Sequence, residues 1–188
     1  MIVVYGGTAS GKSEVAENIA TELSRKSGEK LFYLATMESQ SEAAQVRIKH
    51  HKELRKDKGF HTIEEMFNPV GRAREVENGI VLVECVSNLV ANILFEKYGD
   101  TIPKNASLEQ DAKDIFDSVA RLASYVNELI VVTNNVFNNG KNPYEWSDRY
   151  MYVLALVNRH LADRSDTFIE VTYGIGNLLK GEREIGSN

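Results

Sequence analysis

The sequence predicts an α/β domain whose mostly parallel central sheet is flanked by helices. Three observations support this fold class. An apolar run at the amino terminus leads through a glycine-rich segment into a helix pattern, apolar runs alternate with amphipathic segments along the chain, and most of these runs are rich in Val, Ile or Leu. Because the chain has 188 residues, 43% of them hydrophobic, we expect residues 1–188 to form one domain.

The glycine-rich segment is the most informative part of the chain. It fits the pattern G-x-x-x-x-G-K-[ST] and reads Gly6-Gly7-Thr8-Ala9-Ser10-Gly11-Lys12-Ser13. In such a loop the backbone N–H groups and the helix N-terminus surround phosphate oxygens, Lys12 reaches the β- and γ-phosphates, and the Ser13 hydroxyl is a Mg²⁺ ligand. The sequence therefore predicts a single P-loop NTPase-like domain that binds a nucleoside triphosphate. The alternative is a strand-to-helix turn that fits the pattern by chance.

The remaining elements follow from the spacing of apolar residues. Strands are predicted at 2–5, 31–35, 80–84, 129–133 and 167–172, and helices at 12–26, 42–56, 87–97, 108–126 and 148–162. The helix at 108–126 carries an apolar stripe, and Ser107 with Gln110 has the spacing of a capping box. The Asn- and Gly-rich segment 134–143 follows a strand, so it is either a substrate loop or a plain connector.

Composition argues against several classes of partner and location. The formal net charge of −5 and the pI of about 5.5 make nucleic acid an improbable partner, because phosphate backbones require clustered positive charge. A single cysteine, Cys85, excludes an internal disulfide, suits a reducing cytoplasm and lies in an apolar setting typical of a core thiol. We find no targeting signal and no apolar stretch long enough for a membrane span, so the sequence predicts a cytoplasmic protein.

Three carboxylates are candidates for the site. Glu84 ends a predicted strand and is expected at the same sheet edge as the phosphate loop, where it would hold Mg²⁺ directly or through water. The alternative for Glu84 is an acidic side chain that faces solvent. Glu64 and Glu65 follow Phe60-His61-Thr62-Ile63 and could approach a ribose or a base, although surface positions are at least as well supported.

Two adjacent histidines lie in the basic predicted helix at 42–56. Helical spacing places Arg47, His51 and Arg55 on one face and His50 about 100° away. A histidine beside a nucleotide could act as a general base, or as a nucleophile that forms a phosphoramidate with the α-phosphorus. From the residues alone, two polar residues on a basic helix face are the favoured interpretation, and neighbouring helical residues diverge too far to form a good metal site.

Taken together, these motifs resemble one family. The phosphate loop, Ala35-Thr36, Arg47-Ile48-Lys49-His50-His51-Lys52 and Leu82-Val83-Glu84-Cys85 are similar in order and spacing to the bifunctional adenosylcobinamide kinase/adenosylcobinamide-phosphate guanylyltransferases of cobalamin biosynthesis. Further matches are Val132-Thr133-Asn134, Val157-Asn158 with Leu161-Ala162, and Gly174-Ile175-Gly176. The resemblance covers nearly the whole chain, and the string around His50 is its most specific element.

The resemblance implies a function that the residues alone do not. It implies a homotrimer that phosphorylates the corrinoid adenosylcobinamide from ATP or GTP and then transfers GMP from GTP through a guanylated histidine, which by position is His50. It also implies that a guanine nucleotide is bound by the phosphate loop together with Thr36, Met37, Glu38, His51, Lys52, Glu53, Leu54, Arg55, Glu64 and Glu84.

The chain departs from the family pattern at Ala9, at 135–137 and at 151–154, segments that we expect to contact the corrinoid or a neighbouring subunit. Two other functions are compatible with the phosphate loop. One is a small-molecule kinase without a covalent nucleotide, in which replacement of His50 leaves activity largely intact. The other is a GTP-binding regulatory module, which is less well supported because we find neither an Asp-x-x-Gly switch nor an Asn/Thr-Lys-x-Asp guanine motif.

Overall fold

The computed structural model describes residues 1–37, 42–136 and 145–182, without the side chains of residues 42–44, 47, 50, 51 and 54. Within these residues the strands are β1 (Ile2–Gly6), β2 (Leu31–Ala35), β3 (His61–Glu64), β4 (Ile80–Glu84), β5 (Glu128–Asn134), β6 (Thr167–Thr172) and β7 (Ile175–Lys180). The helices are α1 (Lys12–Ser27), α2 (Glu42–Arg55), α3 (Val86–Tyr98), α4 (Leu108–Leu122) and α5 (Glu145–Arg164), and a 3₁₀ turn covers Pro69–Arg72.

The seven strands form one sheet in the order β3-β2-β4-β5-β1-β6-β7. All neighbouring pairs are parallel except β6 with β7, which form an antiparallel hairpin at one edge. In this register Gly6 at the end of β1 lies opposite Asn134 of β5 on one side and Val171 of β6 on the other. The carboxyl ends of the central strands therefore meet along one edge of the sheet, where open α/β sheets bind their ligands.

Apolar side chains cover both faces of the sheet, as expected for a parallel sheet with helices on each side. Alternate residues of β1 point to opposite faces: Val3 packs in the core beneath α3, α4 and α5, whereas Ile2 and Val4 pack in the core beneath α1. No helix in the described part of the chain combines the length and the apolar character that a membrane crossing requires.

The predicted α/β class, the five predicted strands and the five predicted helices are confirmed, with shifts at several ends. The sequence patterns missed β3 and β7. β3 has four residues, three of them exposed, and β7 interrupts its apolar residues with Gly176 and Asn177, so neither shows a buried or alternating run.

Two details predicted for α4 are wrong. The helix ends at Leu122 rather than 126, because residues 123–125 form a turn that leads into β5. The capping box is absent: the Ser107 side chain makes no cap hydrogen bond, and Gln110 Nε2 instead donates to Asp114 Oδ1 at 2.7 Å. The apolar stripe is confirmed, since Leu108, Ala112, Ile115, Val119 and Leu122 are all buried.

Candidate functional site

The phosphate-binding motif forms the turn between β1 and α1. Gly11 directly precedes α1 with φ of 89°, a left-handed conformation that glycine adopts without strain, and Ala9 is also left-handed with φ of 57°. The Ser10 N–H donates to the Gly7 carbonyl at 3.2 Å, which closes the turn. The motif thus has the curled backbone at a helix N-terminus that binds anions.

Lys12 lies across the inside of this turn. Its Nζ donates to the Gly7 carbonyl at 3.0 Å, and its side chain is buried. Burial lowers the pKa of the Lys12 ammonium, while the nearby Cys85 and Glu84 act in the opposite direction. The Lys12 ammonium therefore lies on the inner side of the turn, next to the space that the loop backbone encloses.

Ser13 and Glu84 meet at the side of the turn that faces β4. Ser13 Oγ donates to Glu84 Oε1 at 2.6 Å, although the two residues are far apart in sequence. The other carboxylate oxygen, Glu84 Oε2, is buried and has no hydrogen-bond partner among the described residues. Burial raises the pKa of Glu84 to about 7, against the opposing effects of the Ser13 hydroxyl and Lys12.

A cavity of about 350 Å³ lies beside Glu84, between the sheet edge and α2. Residues from β2, α2, β3, β4 and α3, and from the segments that directly follow β2 and β4, line it: Tyr33, Ala35, Met37, Gln45, Ile48, Lys49, Lys52, Glu53, Arg55, Glu64, Glu84, Cys85 and Asn88. The cavity therefore joins a basic helix to the carboxylate that contacts the phosphate turn.

A buried ionic cluster fixes the carboxyl end of α2 against α1. Glu17 of α1 is 2% exposed, and its Oε2 accepts a hydrogen bond from Lys58 Nζ at 2.7 Å. Its Oε1 lies 4.0 Å from Arg55 Nη1, and the Arg55 guanidinium lies 3.4 Å from the centre of the Tyr33 ring. Arg55 Nη1 is buried without a hydrogen-bond partner among the described residues, and Arg55 lines the cavity.

The segment after β2 is tied to the segments around it. The Thr36 side chain is buried, and its Oγ1 donates to the Cys85 carbonyl at 2.8 Å. Asn92 of α3 donates through Nδ2 to the carbonyls of Thr36 at 2.8 Å and Met66 at 3.1 Å. The segments that follow β2 and β3 are therefore held together on one side of the cavity.

This arrangement was compared with known proteins. The family model described as "Cobinamide kinase / cobinamide phosphate guanyltransferase" matches residues 2–179, nearly the whole chain. The chain belongs to this family. The predicted resemblance is therefore confirmed, and the phosphate turn is the nucleotide-binding P-loop of a cobinamide kinase/guanyltransferase family member.

Three curated relatives match over almost their full lengths. The bifunctional adenosylcobalamin biosynthesis protein CobU of Escherichia coli (strain K12) is 28% identical over 186 residues, which make up 96% of this chain and 99% of the relative. The CobU protein of Salmonella typhimurium is 27% identical over the same shares of the two chains. The bifunctional protein CobP of Pseudomonas aeruginosa is 27% identical over 96% of this chain and 97% of its own length.

The structure brings together part of the residue set that the family resemblance implies. Lys12, Ser13 and Glu84 converge at the P-loop, and Met37, Lys52, Glu53, Arg55 and Glu64 line the cavity beside it. Thr36 lies next to the cavity, but its hydroxyl is used within the protein. The side chains of His50, His51 and Leu54, the whole of Glu38, and residues 137–143 of the predicted substrate loop lie outside the described residues.

The other candidate carboxylates differ in their environment. Glu64 is exposed at the cavity rim, where Lys52 Nζ lies 3.5 Å from its Oε1. Glu65 has a structural role: it accepts hydrogen bonds from the N–H groups of Phe67 and Asn68 and from Arg72 Nε, and these bonds lower the pKa of its carboxyl despite partial burial. Among the described residues, no three His, Cys, Asp or Glu side chains form a protein-only metal site.

Two groups of residues at the site were missed by the sequence patterns. One is Glu17 with Tyr33, which fall in an amphipathic helix and an apolar strand respectively. The other is a polar network behind the P-loop, in which Asn134 Nδ2 donates to Ser87 Oγ at 2.6 Å and Asn158 Nδ2 donates to the Asn134 carbonyl at 3.2 Å. The two asparagines are among the family matches, but no role was predicted for them. A polar residue inside a buried run was the signal available for Tyr33 and for the network, whereas Glu17 lies in an amphipathic helix and had no such signal.

Proposed function

We propose that this chain phosphorylates adenosylcobinamide and then transfers GMP from GTP to adenosylcobinamide phosphate through a guanylated histidine. Family membership supports kinase and guanyltransferase chemistry in cobalamin biosynthesis. The observation that carries the proposal is the convergence of Lys12, Ser13 and Glu84 at one end of a cavity whose other wall is α2, the helix with the histidine pair.

In the kinase step, the P-loop binds and orients the triphosphate. Its backbone N–H groups and the α1 N-terminus contact phosphate oxygens, and the Lys12 ammonium stabilises negative charge on the transferred γ-phosphoryl group. The acceptor is the hydroxyl of the aminopropanol arm of adenosylcobinamide, which loses its proton as the new P–O bond forms and the nucleoside diphosphate leaves.

Ser13 and Glu84 are the residues that would hold Mg²⁺. They fit this ion because both supply oxygen ligands, and because the buried Glu84 Oε2 lacks a hydrogen-bond partner among the described residues. When bound with the triphosphate, Mg²⁺ neutralises charge that develops on the phosphate oxygens.

In the guanylyltransferase step, His50 is the proposed nucleophile. A ring nitrogen forms a bond to the α-phosphorus of GTP, the bond to the bridging oxygen breaks, and pyrophosphate leaves. A phosphate oxygen of adenosylcobinamide phosphate then attacks the same phosphorus, the P–N bond breaks, and the free imidazole is restored. The cavity beside Glu84 would hold the guanine nucleotide during these steps, with Met37, Lys52, Glu53, Arg55 and Glu64 on its walls.

Three features of the proposal extend beyond the site. Adenosylcobinamide is the proposed corrinoid partner, with ATP or GTP as the phosphoryl donor. We also propose a homotrimer in the cytoplasm, an assembly that sedimentation equilibrium of the purified chain will test directly.

The decisive experiment incubates the protein with Mg²⁺ and α-labelled GTP and measures label that stays on the denatured chain. We expect acid-labile, alkali-stable label on the wild type and on His51→Ala, and none on His50→Ala, with His51→Ala as the matched control. The label is expected to move to adenosylcobinamide phosphate when that acceptor is added.

Two results would contradict the proposal. If the wild type binds GTP but acquires no label, guanylation is absent and a kinase without a covalent nucleotide becomes the better hypothesis. Label that persists in His50→Ala and disappears in His51→Ala would assign the nucleophile to the other histidine.

A further inference from the structure

The turn of the β6–β7 hairpin lies directly against the P-loop. The Gly174 N–H donates to the Ser10 carbonyl at 2.7 Å. A Cβ atom at Gly11 would lie only 2.9 Å from the Gly174 Cα, so the two backbones approach as closely as glycine permits. The hairpin therefore forms a wall beside the P-loop, on the side opposite β5 and β4 in the sheet order.

Tyr173, at the tip of this hairpin, has an exposed ring and a costly backbone conformation. Its side chain is 94% exposed, and its φ of 52° lies in the left-handed region that non-glycine residues rarely adopt. Ile175 beside it is 72% exposed. The two-residue turn between β6 and β7 requires positive φ at both Tyr173 and Gly174, and such turns favour Gly, Asn or Asp. The turn therefore explains the backbone conformation but not the large exposed ring, which lies where the hairpin contacts the P-loop.

The Ser13–Glu84 contact gives the direction of a bound nucleotide. It lies on the β4 side of β1, so Mg²⁺ held by Ser13 and Glu84 would draw the terminal phosphates of a nucleotide toward that side of the loop. The α-phosphate and the nucleoside must then extend toward the opposite side, where β6 and β7 lie. The base of the phosphoryl donor would then lie away from the cavity beside α2, which is proposed to hold the guanine nucleotide in the separate guanylyltransferase step.

We propose that the Tyr173 ring, with Ile175 beside it, is a stacking platform for the base of the nucleotide that donates the γ-phosphoryl group. This inference rests on the proposed kinase step and identifies where that step holds the nucleobase. Stacking uses the π-face that every base has, so adenine and guanine nucleotides are expected to bind this platform with similar affinity.

The test measures Kd by titration calorimetry for Tyr173→Ala with three Mg²⁺ complexes: non-hydrolysable ATP, non-hydrolysable GTP and inorganic tripolyphosphate. We expect Kd to rise about tenfold for both nucleotides and less than about twofold for tripolyphosphate, which has no base to stack. Tyr173→Phe keeps the ring and should retain wild-type affinity. Tyr125→Ala is the matched control, since Tyr125 is 43% exposed and contacts Asn78 at the opposite edge of the sheet.

Each alternative gives a different result. An equal loss for tripolyphosphate and the nucleotides would show that the turn only shapes the P-loop, and would overturn the proposal. An unchanged nucleotide Kd together with a changed molecular mass in light scattering would assign Tyr173 to a subunit contact and would also overturn it. A wild type that binds tripolyphosphate but neither nucleotide would instead contradict the proposed function itself.

Discussion

The helices that follow β1 and β2 are attached to the sheet in different ways. α1 begins at the P-loop and buries a row of residues against the sheet, among them Ala16, Ile19 and Ala20. Of the described side chains of α2, Arg55 is the buried one, whereas Val46 is 69% exposed and Lys52 and Glu53 face the cavity or solvent. As far as the described side chains show, apolar packing holds the first helix and ionic contacts at the carboxyl end hold the second.

This contrast matches the two proposed half-reactions. On the P-loop side, the polar groups are already held in place by hydrogen bonds. Lys12 donates to the Gly7 carbonyl, and Ser13 donates to Glu84. On the α2 side, the contacts among the described residues are the Glu17 cluster and the exposed ion pair between Lys52 and Glu64. Substitutions on the two sides are therefore expected to separate triphosphate binding from guanylation.

The largest expected effect comes from removing the centre of the buried cluster. Glu17→Ala leaves Arg55 buried without its counter-charge and removes the partner of Lys58, so we expect the free energy of unfolding to fall by about 3 kcal/mol. Chemical denaturation measures this loss, and hydrogen exchange is expected to show faster exchange of the α2 amides than of the α1 amides.

The control for this prediction is Glu14→Ala, which removes an exposed carboxylate from the first turn of the same helix. It is expected to change the free energy of unfolding by less than about 0.5 kcal/mol. Equal losses in the two variants would mean that the Glu17 cluster contributes no more than an ordinary surface residue, and the contrast between the helices would be wrong.

On the P-loop side, the protonation of Glu84 predicts a pH effect of about tenfold. Because burial raises the pKa of Glu84 to about 7, most of the free protein carries a proton on this carboxyl at pH 6 and loses it by pH 8. A bound Mg²⁺ requires the ionised Glu84 carboxylate, so the Kd of the Mg²⁺–nucleotide complex is expected to be about tenfold higher at pH 6 than at pH 8.

Glu84→Gln tests the source of this dependence, since the nucleotide's own titration affects both proteins alike. The variant should bind the Mg²⁺–nucleotide complex more weakly at pH 8 and lose the additional pH dependence; an unchanged slope would exclude Glu84 as its source.

The raised pKa of Glu84 also affects stability in the absence of ligand. The folded state binds the proton more tightly, so the contribution of Glu84 to the free energy of unfolding is complete below pH 4.5 and is lost as the pH rises through about 7.

Much of the fold followed from local patterns, because Val- and Ile-rich runs between amphipathic segments specify buried parallel strands. The P-loop was predictable for the same reason: its spacing and its flanking elements depend on a few neighbouring residues. β7 was not, since it exists by pairing with β6, and that pairing is a tertiary contact without a signal in residues 175–180.

The contacts at the site also separate into those that the sequence could predict and those that depend on tertiary structure. The contact of Ser13 with Glu84 was predictable from topology alone, because strand ends meet at one sheet edge. The cluster of Glu17, Arg55 and Tyr33 joins three elements that are distant in sequence, and nothing near Glu17 distinguishes it from a solvent-facing helical residue. The role of His50 came from family resemblance, since spacing alone favoured a plain surface pair.

The smallest expected effect concerns the exposed ion pair between α2 and the end of β3. Lys52 and Glu64 are more than half exposed and 3.5 Å apart, so solvent screens their attraction and Lys52→Met should change the free energy of unfolding by less than about 0.5 kcal/mol. Chemical denaturation of the wild type, Lys52→Met and Glu17→Ala in parallel measures the change in the free energy of unfolding. A loss above about 1 kcal/mol would mean that α2 is held at the cavity rim as well as at Arg55. A small loss in stability with a clear loss of guanylation would place Lys52 in the nucleotide site and leave the buried cluster as the structural anchor of α2.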